Sequence, residues 1–182
     1  KMQALQNPDG GWSWYKGMAG SLYMTTSITQ LLARLQQMTG CLLDAEVQHM
    51  QQRAWNYLNQ RLTEEVGWMK EAEKKGTGNI EPSEWALQCL YTDALNKHRS
   101  MPQEVRNYLI DKLEKMSGRL TIYGKALSAI ILQEAGKEAK AKEFLESLMQ
   151  YSVMTQEMGR YFDSPKAEYS WFSYRIPTQV AA

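Results

Sequence analysis

Two stretches decide the fold: Ser83–Leu95, SEWALQCLYTDAL, and Thr121–Ala135, TIYGKALSAIILQEA. In the first, Trp85, Ala86, Leu87, Cys89, Leu90, Tyr91, Ala94 and Leu95 put apolar side chains on nearly every side of a helix. In the second, Ile122, Tyr123, Ala126, Leu127, Ala129, Ile130, Ile131 and Leu132 do the same. A helix that is apolar all round has no face to give to water and must be enclosed by other elements. The segment after each is different. Pro102 opens a helix with Val105, Tyr108, Leu109, Leu113 and Met116 on one face, and Lys137–Gln150 is one-faced through Phe144, Leu145, Leu148 and Met149. One-faced helices border solvent. The pattern is therefore an inner helix followed by an outer one, twice, with the inner helices beginning about 38 residues apart. Such units are αα-hairpins stacked side by side.

Upstream, Thr25–Thr39 carries Ile28, Leu31, Leu32, Leu35 and Met38 at helical spacing and is expected to be a further inner helix. Gly40 suits its C-cap. Asp44 is a suitable N-cap for the next helix, striped by Val47, Met50, Ala54, Tyr57, Leu58 and Leu62. The polar run Lys74–Gly78 reads as a loop, and Pro82 with Ser83 opens the following helix. The expected fold class is all-α, with about six main helices and strands absent or confined to short pairs at aromatic turns. Both an open solenoid and a closed α/α toroid satisfy the alternation. A solenoid keeps a constant period, and the step of about 58 residues from Thr25 to Ser83 breaks it.

Composition narrows the function classes. The 182 residues suffice for one sizeable core, and 43% hydrophobic with 23% charged residues is ordinary for a globular protein. A net charge of +1 without a basic stripe argues against nucleic acid as a partner. No apolar run is long enough to span a membrane, and no signal peptide is visible, although cleaved upstream segments are compatible with a secreted protein. Two cysteines, Cys41 and Cys89, are too few for a disulfide framework.

A second repeat lies in the aromatic turns. Gly10-Gly11-Trp12-Ser13-Trp14-Tyr15 recurs in weaker form as Ala167-Glu168-Tyr169-Ser170-Trp171-Phe172. The copies lead to Thr29-Gln30 and Thr178-Gln179, each expected near a helix start, with about eight extra residues in the first copy. Pro177 opens a last helix just before Ala182, so the chain is expected to be part of one toroid domain, 1–182, truncated at both ends.

The stretch Gln6-Asn7-Pro8-Asp9-Gly10-Gly11-Trp12-Ser13-Trp14, followed by Thr25-Thr26-Ser27-Ile28-Thr29-Gln30-Leu31-Leu32-Ala33-Arg34-Leu35, resembles a segment of the thioester domain of alpha-2-macroglobulins, closest to the bacterial branch. The ending, Tyr169-Ser170-Trp171 through Ile176-Pro177-Thr178-Gln179-Val180-Ala181, resembles a later turn and helix of that domain. The resemblance implies an α/α toroid of the terpenoid cyclase-like type, in an extracytoplasmic protein of the bacterial periplasm or envelope that traps proteases. It implies neighbouring domains of the same polypeptide and a target protease as partners. The family's chemistry rests on a Cys-x-Glu-Gln motif that forms an internal thioester. Here Cys41 is followed by Leu42-Leu43-Asp44 and Cys89 by Leu90-Tyr91-Thr92, so neither fits. The implied position of the motif is upstream of Lys1. The expectation is a non-enzymatic structural and interaction domain.

Asp9, Gly10, Gly11 and Trp12 are expected to form a structural turn, with Asp9 accepting backbone hydrogen bonds and Trp12 as an apolar anchor. Trp14, Tyr15, Trp171 and Phe172 are the candidate binding residues, a groove at the mouth of a ring for a partner or sugar; the competing reading is helix-end packing. A catalytic cysteine needs a base, and only His49 and His98 exist. The two histidines with Cys41 and Cys89 lack zinc-ligand spacing, and no cofactor is expected. An enzyme on the same fold, a terpene cyclase or polysaccharide lyase, has only Asp93, or Tyr123 with Arg119, to offer as machinery. A helical-repeat adaptor is the remaining alternative. An incomplete ring is expected to expose Ile28, Leu32 and Leu35 at one end and Ile176 and Val180 at the other, and to self-associate.

Overall fold

The computed structural model describes residues 2–40, 44–76, 80–96, 100–116, 120–157, 159–162 and 179–181. Of these, 69% are helical. After a 3-10 turn at Gln3–Leu5 come α1 (Leu22–Thr39), α2 (Ala45–Lys74), α3 (Glu84–Leu95), α4 (Gln103–Lys115), α5 (Ile122–Glu134) and α6 (Glu138–Met149). The strands β1 (Ser152–Thr155) and β2 (Gly159–Phe162) form one antiparallel hairpin. The chain divides into two compact units, Lys1–Ile80 with Gln88–Leu109, and Glu81–Leu87 with Ile110–Ala182.

Capping chemistry sets the helix starts. The side chains of Ser21, Asp44 and Thr121 accept hydrogen bonds from the amides of Met24, Val47 and Gly124, which satisfies orphan donors of the first turn. Ser83 does the same for the Ala86 amide at 3.1 Å. Helix α1 begins at Leu22, earlier than the apolar stripe indicates, because Ser21 is the better cap. The pair Thr29-Gln30 therefore lies inside α1 and not at its start. Helix α2 runs to Lys74, since Val66 and Met69 prolong the stripe that Leu62 continues, and both are buried.

In the first unit, Trp12, Met50 and Ala54 form a buried cluster against which Met24, Ile28, Leu32 and Val47 pack. This corrects two expectations for α1. Its buried residues are Thr25, Thr26, Thr29 and Ala33, while Leu31, Leu35 and Met38 are exposed, so α1 is not enclosed all round. Small residues on the buried face give it the close packing, and its leucines fall on two other sides. Of the residues expected at open ends, Leu35 and Val180 are exposed, Ile28 and Leu32 are half-buried on that cluster, and Ile176 lies outside the described residues.

Helices α3 and α5 meet the expectation for inner helices. Every residue from Trp85 to Asp93 is buried, as is every one from Ile122 to Ser128. In the second unit, Ile122, Ala126 and Leu148 form a cluster joined by Phe162 and Ala181, and α5 packs on one-faced α6. The hairpin is a departure. It precedes the second aromatic stretch, where strands were not expected; alternating β-prone residues such as Val153, Thr155 and Tyr161 favour it, and Gly159, at φ 69°, supplies its turn.

Candidate functional site

The N-terminal turn is closed by several hydrogen bonds of its own. The Asn7 amide donates to the Gly11 carbonyl at 2.8 Å and the Gly10 amide to the Asn7 carbonyl at 3.0 Å. The Asp9 carboxylate accepts from the Gly11 amide at 2.9 Å. This closes a tight loop that needs φ 91° at Gly10, a region that side chains disfavour. A Cβ at Gly10 would also collide with the Arg53 carbonyl of α2. Trp12, 2% exposed, sits in the core below. Its amide donates to Thr25 Oγ1 at 2.9 Å, its indole to the Met2 carbonyl at 3.1 Å, and its carbonyl accepts from the Ser21 amide at 2.7 Å. Trp12 thus pairs in isolated bridges with both Gln6 and Ser21. Asp9, Gly10, Gly11 and Trp12 thus lie together in a closed, hydrogen-bonded turn.

Gln6, Arg53 and Tyr57 lock the turn and its loop to α2, and Asn7 braces the loop internally. Gln6 Nε2 donates to the carbonyls of Gly10 and Met50, both at 2.8 Å. Arg53 Nη2 donates to the carbonyls of Asn7 at 2.7 Å and Pro8 at 3.2 Å. Tyr57 Oη donates to the Gly20 carbonyl at 2.8 Å, and Asn7 Nδ2 to the Met18 carbonyl at 2.8 Å. No local sequence pattern announces them, since their bonds to or from α2 reach across 37 to 46 positions.

The same loop lifts Trp14 and Tyr15 into solvent, 50% and 75% exposed, with Met18 at 52%. Trp14 stacks on Tyr23, ring centroids 5.7 Å apart and planes within 7°. Ser13 Oγ and the Met18 amide both donate to the Tyr15 carbonyl, which fixes the tip. Trp171 and Phe172, the other candidate binding residues, lie outside the described residues, as do Cys41, His98 and Arg119.

Several polar groups elsewhere in the chain have clear structural partners. Asp93, 1% exposed on its side chain, accepts from the amides of Ser100 at 2.8 Å and Met101 at 2.9 Å, and from Arg106 Nε and Nη2 at 2.9 and 2.8 Å. Arg106 in turn donates to the Met101 carbonyl at 3.0 Å. The carboxylate staples the segment joining α3 and α4. Cys89 is fully buried against Thr26 Oγ1 at 3.9 Å, and burial pushes its thiol pKa far above the ordinary value. His49 is exposed. Lys125, 3% exposed, donates to Ser147 Oγ at 2.9 Å and lies 4.6 Å from the Tyr151 ring centre. Ser147 is in the last turn of α6, where the helix dipole favours a cation, so this buried ammonium is accounted for. An open depression of about 580 Å³ is lined by Glu114, Lys137, Glu138, Lys140 and Glu143; Lys137 pairs with Glu114 at 2.9 Å and Lys140 with Glu143 at 2.7 Å. The Glu114 contact raises the Lys137 pKa. Among the described residues no group of three His, Cys, Asp or Glu side chains is placed to hold a metal.

Comparison with family models, curated proteins and solved structures finds no match. Among the described residues no helix is long and apolar enough to cross a membrane.

Proposed function

We propose that this chain is a non-enzymatic scaffold and interaction domain of a bacterial alpha-2-macroglobulin-like protein that traps proteases in the periplasm or envelope. On this reading its helical hairpins belong to an α/α toroid and the thioester motif is not within the chain. The observation that carries the reading is the role of Gln6–Trp12. These are the residues in which the chain resembles the family: Gln6 and Asn7 bond to α2, Trp12 bonds to Thr25 of α1, and Asp9 and Gly10 close the turn between them. Further support comes from the burial of α3 over Trp85–Asp93 and of α5 over Ile122–Ser128, each helix being followed by a one-faced one.

Trapping by caging has a kinetic signature. A caged protease keeps its active site, so it still hydrolyses a small chromogenic peptide but is shielded from a large protein substrate. The polypeptide carrying this domain is expected to suppress casein cleavage by trypsin while leaving peptide hydrolysis largely intact. Equal loss of both activities, or loss of neither, would refute the proposal.

A further inference from the structure

The sequence holds a feature that the scaffold reading does not absorb. Between Asp9 and Asp44 there is no acidic residue, and the only full charges are Lys16 and Arg34. The tip of the N-terminal loop lies in this stretch and exposes Trp14, Tyr15 and Met18 around Lys16, which is itself exposed. Leu5, 59% exposed, belongs to the same N-terminal module. Monomeric surfaces seldom concentrate large apolar side chains in this way without a partner. The tip is also held in shape, by Ser13 and Met18 on the Tyr15 carbonyl, by Asn7 on the Met18 carbonyl, and by the Trp14–Tyr23 stack.

We propose that this tip is a peripheral docking element for an anionic lipid surface, with Trp14, Tyr15 and Met18 entering the interface and Lys16 at the headgroups. Indole and phenol rings, each with an apolar body and a polar edge, prefer the headgroup level of a bilayer. A neighbouring ammonium is attracted by anionic lipid, and the loop from Gly10 to Gly20 adds no carboxylate of its own to oppose it. Docking of two copies tip to tip fits less well, because it sets Lys16 against Lys16 with no carboxylate in either stretch to neutralise them. The proposal is independent of the protease-trapping reading, since either can fail alone.

The test is co-sedimentation with vesicles of equimolar phosphatidylcholine and phosphatidylglycerol, and with vesicles of phosphatidylcholine alone. The protein is expected to bind the anionic vesicles more tightly. Tyr15→Ala, which removes a 75% exposed ring, is expected to weaken binding to both by about tenfold. Lys16→Ala is expected to weaken binding about fivefold on anionic vesicles only. Trp68→Ala removes a ring 62% exposed on α2, away from the tip, and is expected to bind as wild type. Absence of vesicle binding by the wild type, or Tyr15→Ala binding as wild type, would overturn the proposal. So would a concentration-dependent increase in mass by light scattering that Tyr15→Ala abolishes while vesicles bind neither protein; the tip would then be a contact between copies.

Discussion

Gly10 and Gly17 offer a controlled experiment on the N-terminal turn. Their φ angles are 91° and 90°, so replacement by alanine imposes the same backbone penalty at each, about 1–2 kcal/mol. Their surroundings differ. A Cβ at Gly17 meets nothing within 4 Å, whereas one at Gly10 runs into the Arg53 carbonyl on α2. Backbone of a long helix cannot turn aside as a flexible side chain can, so the turn must lift. Lifting strains the three hydrogen bonds that cross from the turn to α2, from Gln6 to the Met50 carbonyl and from Arg53 to the Asn7 and Pro8 carbonyls. At about 0.5–1.5 kcal/mol each, losing two of them adds about 1–3 kcal/mol. Gly10→Ala is then expected to cost about 2–5 kcal/mol in all, against about 1–2 for Gly17→Ala. In a chain of this length each kcal/mol lowers the melting temperature by about 2–4 °C, so the two variants separate clearly in thermal unfolding followed by circular dichroism. If Gly10→Ala and Gly17→Ala melt together, the turn is not pressed on α2, and the architectural role given to the Asp9–Trp12 motif is wrong.

Further expectations follow from the buried groups and from the sequence. Asp93→Ala leaves Arg106 and the Ser100 and Met101 amides without their acceptor and is expected to cost about 3 kcal/mol in urea unfolding, the lower end for a broken buried pair because the Arg106 side chain is 13% exposed; Asp93→Asn, which retains an acceptor, is expected to cost less. Cys89 is expected to react with a thiol reagent only on unfolding, read by Ellman titration of the Cys41→Ser protein. Burial raises its folded pKa, so as pH rises through the ordinary thiol value the unfolded state loses the proton first and stability falls. Cys89→Ala is expected to remove that part of the alkaline loss, up to about 1.4 kcal/mol per pH unit. Finally, neither cysteine stands in a Cys-x-Glu-Gln motif, so methylamine is expected to leave the intact mass unchanged; a stoichiometric amide-forming adduct would refute this.

The legible parts of the fold were those where one residue type has one physical use. Ser83, Asp44 and Gly40 marked helix ends because few residues cap well, and the all-round apolar runs of α3 and α5 announced their burial. Helix α1 misled because Leu31, Leu35 and Met38 satisfy the periodicity that normally signals a core face, while its buried face is made of threonines whose hydroxyls bond within the helix, as Thr25 to the Ser21 carbonyl and Thr29 to the Thr25 carbonyl. Hydropathy cannot distinguish such a threonine from a solvated one. The turn residues Asp9–Trp12 were readable from glycine and aspartate chemistry. Their locks, Gln6, Arg53 and Tyr57, were not, because donors reaching across 37 to 46 positions leave no local pattern.

The division of the helices into enclosed and solvent-bordering ones joins the fold to the proposed scaffold role, and amide hydrogen exchange by mass spectrometry tests it most directly. If α3 and α5 are an inner layer, their central amides open only with global unfolding and exchange slowest, while α4 and α6 exchange sooner by local opening. The contradicting result is exchange in α3 and α5 as fast as in α4 and α6, which would mean that no inner layer exists.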